Sequence, residues 1–306
     1  MTTPSPKKLI IFGCGYIGTA LAKQSLERGL TTFALTRNPQ KADALRQLGV
    51  HQVIEADLAS HAWHRQLDPE ADYVLNCVSS AGGGIEGYRQ SYWLGQKSIA
   101  SWASKGKIRT WVYTGSTSVY PQTDGSWVDE NSPVGGNSPT SEVLLEAEQV
   151  MEEACKQMKT RWFVLRFAGI YGPERHSMLA LIERGRAEFP GNGKQFLNLI
   201  HRDDCCSAIW AAFESEVSVP SGRFNVSDGH PAPKESIANW LAKALGQAKP
   251  QFFPDRRSGR MSQRLFGSSP PNRRIDHQRM CTTFGWKPKY PSFVEGYEAL
   301  LKARVG

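Results

Sequence analysis

The sequence predicts an α/β protein with a doubly wound parallel sheet and a smaller C-terminal lobe. Three observations point there. Short apolar runs alternate with stretches of helical spacing through the first 170 residues. The first run, Lys8–Phe12, leads straight into a glycine-rich turn. Beyond Tyr171 the alternation becomes irregular, and Pro, Gly and Arg cluster at 190–194 and 250–274.

The elements follow in order. Lys8–Phe12 is a strand, and Ile17–Glu27 a helix with Ile17, Leu21 and Leu26 on one side. Thr32–Leu35 is a second strand, Gln40–Leu48 a helix stopped by Gly49, and Gln52–Glu55 a third strand. Tyr73–Val78 and Arg109–Thr114 are the fourth and fifth strands, separated by a long helix over about 87–104. A Pro/Gly/Asn/Ser-rich loop fills 120–140, a length that in compact domains marks function or mobility. A helix over about 141–157 and a strand at Trp162–Phe167 complete the pattern. Such alternation implies parallel strands with right-handed crossovers. The expected division is a dinucleotide-binding domain at 1–170 and mainly a substrate lobe at 171–306, with about 196–228 returning to the main sheet.

The bulk composition narrows the class. The 306 residues suffice for one large domain and a smaller lobe, and 40% hydrophobic with 22% charged residues is a globular composition. No uninterrupted apolar stretch is long enough to span a bilayer, and the polar start at Met1–Lys8 is followed by no signal-peptide core, so a cytoplasmic protein is expected. The six cysteines form no C-x-x-C pair and read as reduced core residues. His61 and His64 lack the further ligands a metal site needs, so no metal is expected. The formal net charge is +8. Arg256, Arg257, Arg260, Arg264, Arg273, Arg274 and Arg279 face one carboxylate in that stretch, Asp276. They read either as a solvated surface or as a rim attracting an anionic substrate. The absence of interleaved aromatics argues against nucleic acid. Nothing here fixes the oligomeric state.

Gly13-Cys14-Gly15-Tyr16-Ile17-Gly18 follows a strand and opens a helix. Gly13 suits the tight turn, Gly15 lets backbone approach a pyrophosphate, and Gly18 lets the helix pack closely. The helix N-terminus offers free N–H groups to the phosphates. In this βαβ setting the motif predicts a Rossmann dinucleotide site. Where an NAD site places an acid at the end of the second strand, the sequence reads Leu35-Thr36-Arg37-Asn38. Thr36 and Arg37 therefore favour NADP over NAD, because a guanidinium can pair with a 2′-phosphate; a solvated arginine is the alternative. Asp57 and Leu58 sit where the adenine would lie, although Asp57 serves equally well as a helix cap. Val78 and Ser79, after the fourth strand, complete the expected cofactor contacts.

With the glycine loop, four further stretches carry a family resemblance: Thr114–Tyr120 (TGSTSVY), Leu165–Pro173 (LRFAGIYGP), Ile200–Asp204 (IHRDD) and Phe224–Asp228 (FNVSD). Together they resemble the extended short-chain dehydrogenase/reductases of the NAD-dependent epimerase/dehydratase type, over nearly the whole chain to Phe284–Pro288. GCGYIG in place of the family's usual GxxGxxG resembles its atypical branch. The resemblance implies an active-site Ser/Thr at Ser116. It also implies a Tyr-x-x-x-Lys pair on the following helix, where this chain has Thr140 and Leu144. A threonine hydroxyl is too weak an acid and leucine carries no charge. Gly169 replaces an Asn and Leu197 lies where an Arg for a substrate diphosphate is usual. Thr117-Ser118 replace the dehydratases' acidic pair.

Other candidates come with bland alternatives. Arg175 and His176 either bind an anionic substrate or belong to a solvated loop. Tyr120 reads as packing, His201 as a core histidine and Arg166 as a structural cation. Two functions follow. One is an NADP(H)-dependent oxidoreductase, or an epimerase using transient oxidation, acting on a small polar substrate. The other is a non-catalytic dinucleotide binder serving as redox sensor or partner-binding subunit.

Overall fold

The computed structural model describes residues 6–80, 82–136, 138–254 and 271–304. The chain divides into two compact units. The first comprises Met1–Ser116, Thr140–Arg166 and Ile209–Phe224; the second comprises Thr117–Pro139, Phe167–Ala208 and Asn225–Gly306. Arg256, Arg257, Arg260 and Arg264 lie outside the described residues.

The central sheet has seven strands. They are β1 (Lys8–Phe12), β2 (Thr31–Thr36), β3 (Gln52–Glu55), β4 (Glu70–Asn76), β5 (Lys107–Ser116), β7 (Arg161–Phe167) and β12 (Gly222–Val226), with β6 (Trp127–Val128) outside the sheet. Their order is β12-β7-β5-β4-β1-β2-β3. β1 pairs in parallel with both β2 and β4, so the chain leaves β1 in one direction and returns on its other side. That reversal opens a crevice beyond the carboxyl ends of β1 and β4, where ligands bind in open α/β sheets. The expected fold class is the one observed.

β1 reads KLIIF and is buried over Leu9–Phe12, as a central parallel strand covered on both faces must be. Helices α1 (Tyr16–Glu27), α2 (Pro39–Gln47), α4 (Gly95–Ala103) and α5 (Pro139–Met158) supply the cover, with the short α3 (Gly84–Tyr88) between α2 and α4 in the chain. The long helix expected over 87–104 is interrupted: a π-helical stretch, Arg89–Leu94, joins α3 to α4. Such a bulge is a local adjustment that periodicity does not reveal.

Three aromatic rings fasten the crevice. Phe12 packs on Trp63 and Trp102 with centroids 5.0 and 5.4 Å away, and the two indoles lie 5.6 Å apart. Trp63 donates Nε1–H to the Leu58 carbonyl at 3.1 Å, and Trp102 donates to Leu67 at 2.7 Å. The His61-Ala62-Trp63-His64 segment is thus anchored by its tryptophan, and that anchor holds the Asp57–Leu58 turn. Among the described residues no group of three or more His, Cys, Asp or Glu could hold a metal ion. None of the described helices is long and apolar enough to cross a membrane.

The second unit has its own core. Tyr171, Leu179, Phe189, Ile237, Leu241 and Tyr297 are buried together. They come from β8 (Gly169–Tyr171), α6 (Ser177–Glu183), β9 (Glu188–Pro190), α8 (Lys234–Ala244) and α10 (Phe293–Lys302), with α7 (Arg202–Glu214) and α9 (Gln278–Phe284) between them in the chain. Of the stretch around 196–228, β12 joins the main sheet. β10 (Phe196–Leu197) instead pairs with β13 (Ala232–Pro233), and β11 (Leu199–His201) pairs with β8.

Candidate functional site

The turn after β1 is built for glycine. Gly13 has φ +94°, and a Cβ there would lie 2.7 Å from the Val78 backbone, below any tolerable contact. A Cβ on Gly18 would lie 2.4 Å from the Gly13 carbonyl oxygen and 2.9 Å from the Cys77 sulfur, so α1 can close on the turn only without a side chain. Around Gly15 the opposite holds: a Cβ would meet nothing within 4 Å. It is the N-cap of α1, carries no side-chain cap, and no acidic residue stands in the first turn. A helix N-terminus with neither a side-chain cap nor an acid in its first turn suits a phosphate.

A cleft of about 290 Å³ adjoins this turn. It is lined by Gly13, Gly15, Thr36, Arg37, Asp57, Leu58, Val78 and Ser79, and by Cys14, Asn38, Lys41 and Ser91, which the sequence reading did not single out. Ile17 and Gly18 are buried against the turn, and neither they nor Tyr16 line the cleft with side chains. Asn38 caps α2, its Oδ1 accepting the Lys41 N–H at 2.9 Å, with Pro39 as first helical residue. No acid stands in that first turn. Arg37 and Lys41 therefore bring two cations to the positive end of a helix, where a bare protein gains nothing from them and an anion gains from all three. Lysine in a helix's first turn was the available signal for Lys41. Glu55, at the end of β3, is occupied by Arg46. Asp57 Oδ1 accepts the Ala59 N–H at 2.9 Å, so the carboxylate shapes its own turn while lining the cleft. Burial pushes the Cys14 thiol up to about 12, leaving it an inert part of the wall.

Ser116 ends β5, half-buried, at the carboxyl edge of the sheet. Thr140 lies in the first turn of α5, and Leu144 is buried one turn later. Two phenols, Tyr113 and Tyr120, stand near Ser116 in sequence. Tyr113 is buried without a partner for its hydroxyl, and burial pushes it well above the ordinary phenol value. Tyr120 is buried and donates to Asn225 Oδ1 at 2.8 Å, the packing role expected of it. Arg166 is a buried structural cation, held by Glu148. His201 is a core histidine. Its Nδ1 accepts the Asp203 N–H at 3.2 Å, and burial lowers it to about 4, against a smaller upward pull from Asp203.

In the second unit a separate cavity of about 680 Å³ has Arg175, His176 and Arg184 on its wall with Tyr171, Tyr297 and Leu199. The Gly172–Arg175 bridge shapes the turn, and His176 precedes α6. The His176 ring meets Arg304 Nη2 at 2.9 Å, which keeps the imidazole near a cation. Arg184 is a further basic residue that the sequence reading passed over.

A model of the "NAD dependent epimerase/dehydratase family" matches residues 9–227. The chain belongs to that family. It is 27% identical to protein YeeZ of Escherichia coli strain K12 over 297 residues, 93% of this chain and 97% of that one. It is 26% identical to 2-alkyl-3-oxoalkanoate reductase of Stenotrophomonas maltophilia over 90% of this chain and 89% of that one. The UDP-glucuronic acid 4-epimerase of Bacillus cereus, solved with UDP-glucuronic acid and NAD, shares its fold with a TM-score of 0.79, at 19% identity over 95% of this chain and 97% of that one. For an epimerase/dehydratase family member, the glycine turn and the cleft beyond β1 and β4 fit an NAD(P) cofactor. At Gly169, a Cβ would lie 3.0 Å from the Asn198 carbonyl oxygen, a tight contact.

Proposed function

We propose that this chain is an NADP(H)-dependent oxidoreductase, or an epimerase using transient oxidation, acting on a small polar, anionic substrate without a Tyr-Lys pair. The observation that carries the cofactor choice is that Arg37 and Lys41 share the wall of the cleft at the N-terminus of α2, whose first turn holds no acid. Gly13 and Gly15 shape the turn, their own N–H groups given to the Leu35 and Gly13 carbonyls, and let the pyrophosphate approach the backbone N–H groups of Tyr16, Ile17 and Gly18. Thr36, Arg37 and Lys41 receive the 2′-phosphate, Asp57 and Leu58 flank the adenine, and Val78 and Ser79 close the far wall. The nicotinamide, when bound, supplies or accepts hydride. Ser116 hydrogen-bonds the substrate oxygen. In the second unit Arg175 and His176, with Arg184, line a cavity suited to an anion. The reductase from Stenotrophomonas maltophilia takes, by its name, a ketone that carries a carboxylate. An oxo acid is therefore the first substrate class to offer.

Fluorescence titration with NADPH and NADH tests the cofactor, and NADPH oxidation across 3-oxo acids tests the chemistry. Tight NADPH binding with turnover supports the proposal; no saturable signal from either nucleotide removes it. Thr140 and Leu144 favour one other reading, a non-catalytic sensor. That reading requires bound NADPH with no turnover, and different affinities for the oxidised and reduced forms.

A further inference from the structure

Most buried polar groups in a folded protein are paired, so those that are not call for a reason. In the second unit two side chains leave hydrogen-bond donors unsatisfied within one neighbourhood. Arg273 is 8% exposed, and its Nε and Nη1 have no partner. Its Nη2 donates to the Thr117 carbonyl at 2.7 Å. That carbonyl also receives the Tyr120 N–H at 3.3 Å, closing the Thr117–Tyr120 turn. The Tyr120 hydroxyl donates to Asn225 Oδ1, and Asn225, wholly buried, keeps Nδ2 unpaired. The turn thus links a guanidinium with two idle nitrogens to an amide with one, and all of these groups are donors.

No carboxylate bonds to Arg273 among the described residues. The acid nearest in this network, Glu130, gives Oε1 to the Asn225 N–H at 2.6 Å, and the cation acting on it is Arg279. Burial without an acid lowers the Arg273 guanidinium to about 10, with the Tyr120 phenol pulling the other way. A buried unpaired cation is strongly unfavourable in a closed protein. A guanidinium edge, Nη2 with either Nε or Nη1, matches the two oxygens of a carboxylate or phosphate, and Nη2 keeps a second N–H besides the one given to Thr117.

We propose that Arg273, with Asn225 Nδ2 as a further donor, is a binding site for an oxyanion, the carboxylate or phosphate group of the substrate. The site deepens the reading of the substrate as anionic and is independent of the cofactor assignment. It is distinct from the Arg175–His176 cavity, whose wall includes neither residue.

Calorimetric titration of the full chain with inorganic phosphate and with malonate tests it. Each titration is run with and without NADP⁺, and repeated on the Arg37→Ala, Lys41→Ala double variant so that the two cations of the cofactor cleft contribute nothing. At least one anion should bind, and Arg273→Gln should weaken it tenfold or more while the cofactor-cleft variant binds it as wild type does. Tighter phosphate points to a phosphorylated substrate, tighter malonate to a carboxylic acid. Asn225→Asp keeps an oxygen for Tyr120 and replaces the idle donor with an acceptor. It should weaken the same anion, and it carries the test if Arg273→Gln fails to fold. Failure of both anions to bind, or unchanged affinity in Arg273→Gln and Asn225→Asp, overturns the proposal. Loss of binding only in the Arg37→Ala, Lys41→Ala variant overturns it as well. A failed NADPH titration, by contrast, removes the cofactor assignment and leaves this site untouched.

Discussion

The Arg166 guanidinium is gripped by the Glu148 carboxylate through two parallel hydrogen bonds, Nε to Oε1 at 2.9 Å and Nη2 to Oε2 at 2.7 Å, with both side chains at most 2% exposed. Arg223 adds a third bond to Oε2 at 2.9 Å and reaches on to Glu152 at 2.7 Å. The network ties α5 to the strand-borne Arg166 and Arg223, and α5 is the helix that carries Thr140 and Leu144. Glu148→Gln leaves two cations around one neutral amide. It should lose about 3–5 kcal/mol of stability, the cost of breaking a buried pair from one side. Arg223→Gln, removing a half-buried partner, should lose less. Urea denaturation of both variants checks the order.

Removing either cation at the end of β2 should reduce cofactor selectivity. A hydrogen bond to a charged group is worth about 1.5–3 kcal/mol. Arg37→Ala should therefore weaken NADPH roughly ten- to a hundredfold while leaving NADH within about threefold. Lys41→Ala should act in the same direction. Fluorescence titrations at fixed salt measure both, and equal losses for the two nucleotides would show that neither cation reads the 2′-phosphate.

Gly13→Ala meets two penalties. A left-handed φ costs a residue with a Cβ about 1–2 kcal/mol, and the contact with the Val78 backbone must also be relieved. The expected result is a destabilised chain that has lost dinucleotide binding. Gly15→Ala, where a Cβ meets open space, should retain stability and lose only cofactor affinity. Thermal melts with and without NADPH separate the two behaviours.

Ser116→Ala should lower kcat/KM on an accepted oxo acid by tenfold or more with NADPH affinity unchanged, since the hydroxyl is assigned to the substrate oxygen and not to the cofactor. An unchanged kcat/KM would remove Ser116 from the reaction.

Asp228 gives stability a pH dependence. Its carboxyl is raised from 3.8 to about 8, chiefly by burial; the His230 N–H pulls it down, while Asp204 and Glu295 push it up. The folded form therefore holds its proton more tightly than the unfolded chain does. Its contribution is fully present below about pH 4 and is lost as pH rises through 8. His201, lowered from 6.5 to about 4, works in the opposite sense: its contribution is present above 6.5 and is lost as pH falls toward 4. Between pH 6.5 and 8 Asp228 acts alone of the two. Asp228→Asn keeps the acceptor for His230 and should flatten the decline across that window. Urea midpoints at pH 6.5, 7.2 and 8 show whether the slope disappears.

Local chemistry made much of this protein legible. β1 falls where its apolar run places it, because a central strand is continuous apolar sequence, and the edge strand β3 falls where expected, after the glycine that stops α2. The glycine turn was readable because three spacings state three backbone requirements, and Gly13 and Gly18 each meet one that no other residue can. Trp63 and Trp102 were not readable, since nothing in HAWH says that its indole will pack on Phe12 across 51 positions of chain. The π-helical joint at Arg89–Leu94 left no trace in periodicity.

The sequence by itself determined the fold class, the place of the glycine turn after β1 and the lack of an acid at the end of β2. Each is a property of residue type at a fixed spacing. Only the tertiary structure decided that Lys41 joins Arg37 on one wall, and that the Asn198 carbonyl accepts the Gly169 N–H. It alone placed Arg273 where burial withholds both water and a carboxylate from two of its nitrogens. Burial and distance are sums over many segments of chain, and no single stretch of sequence contains them.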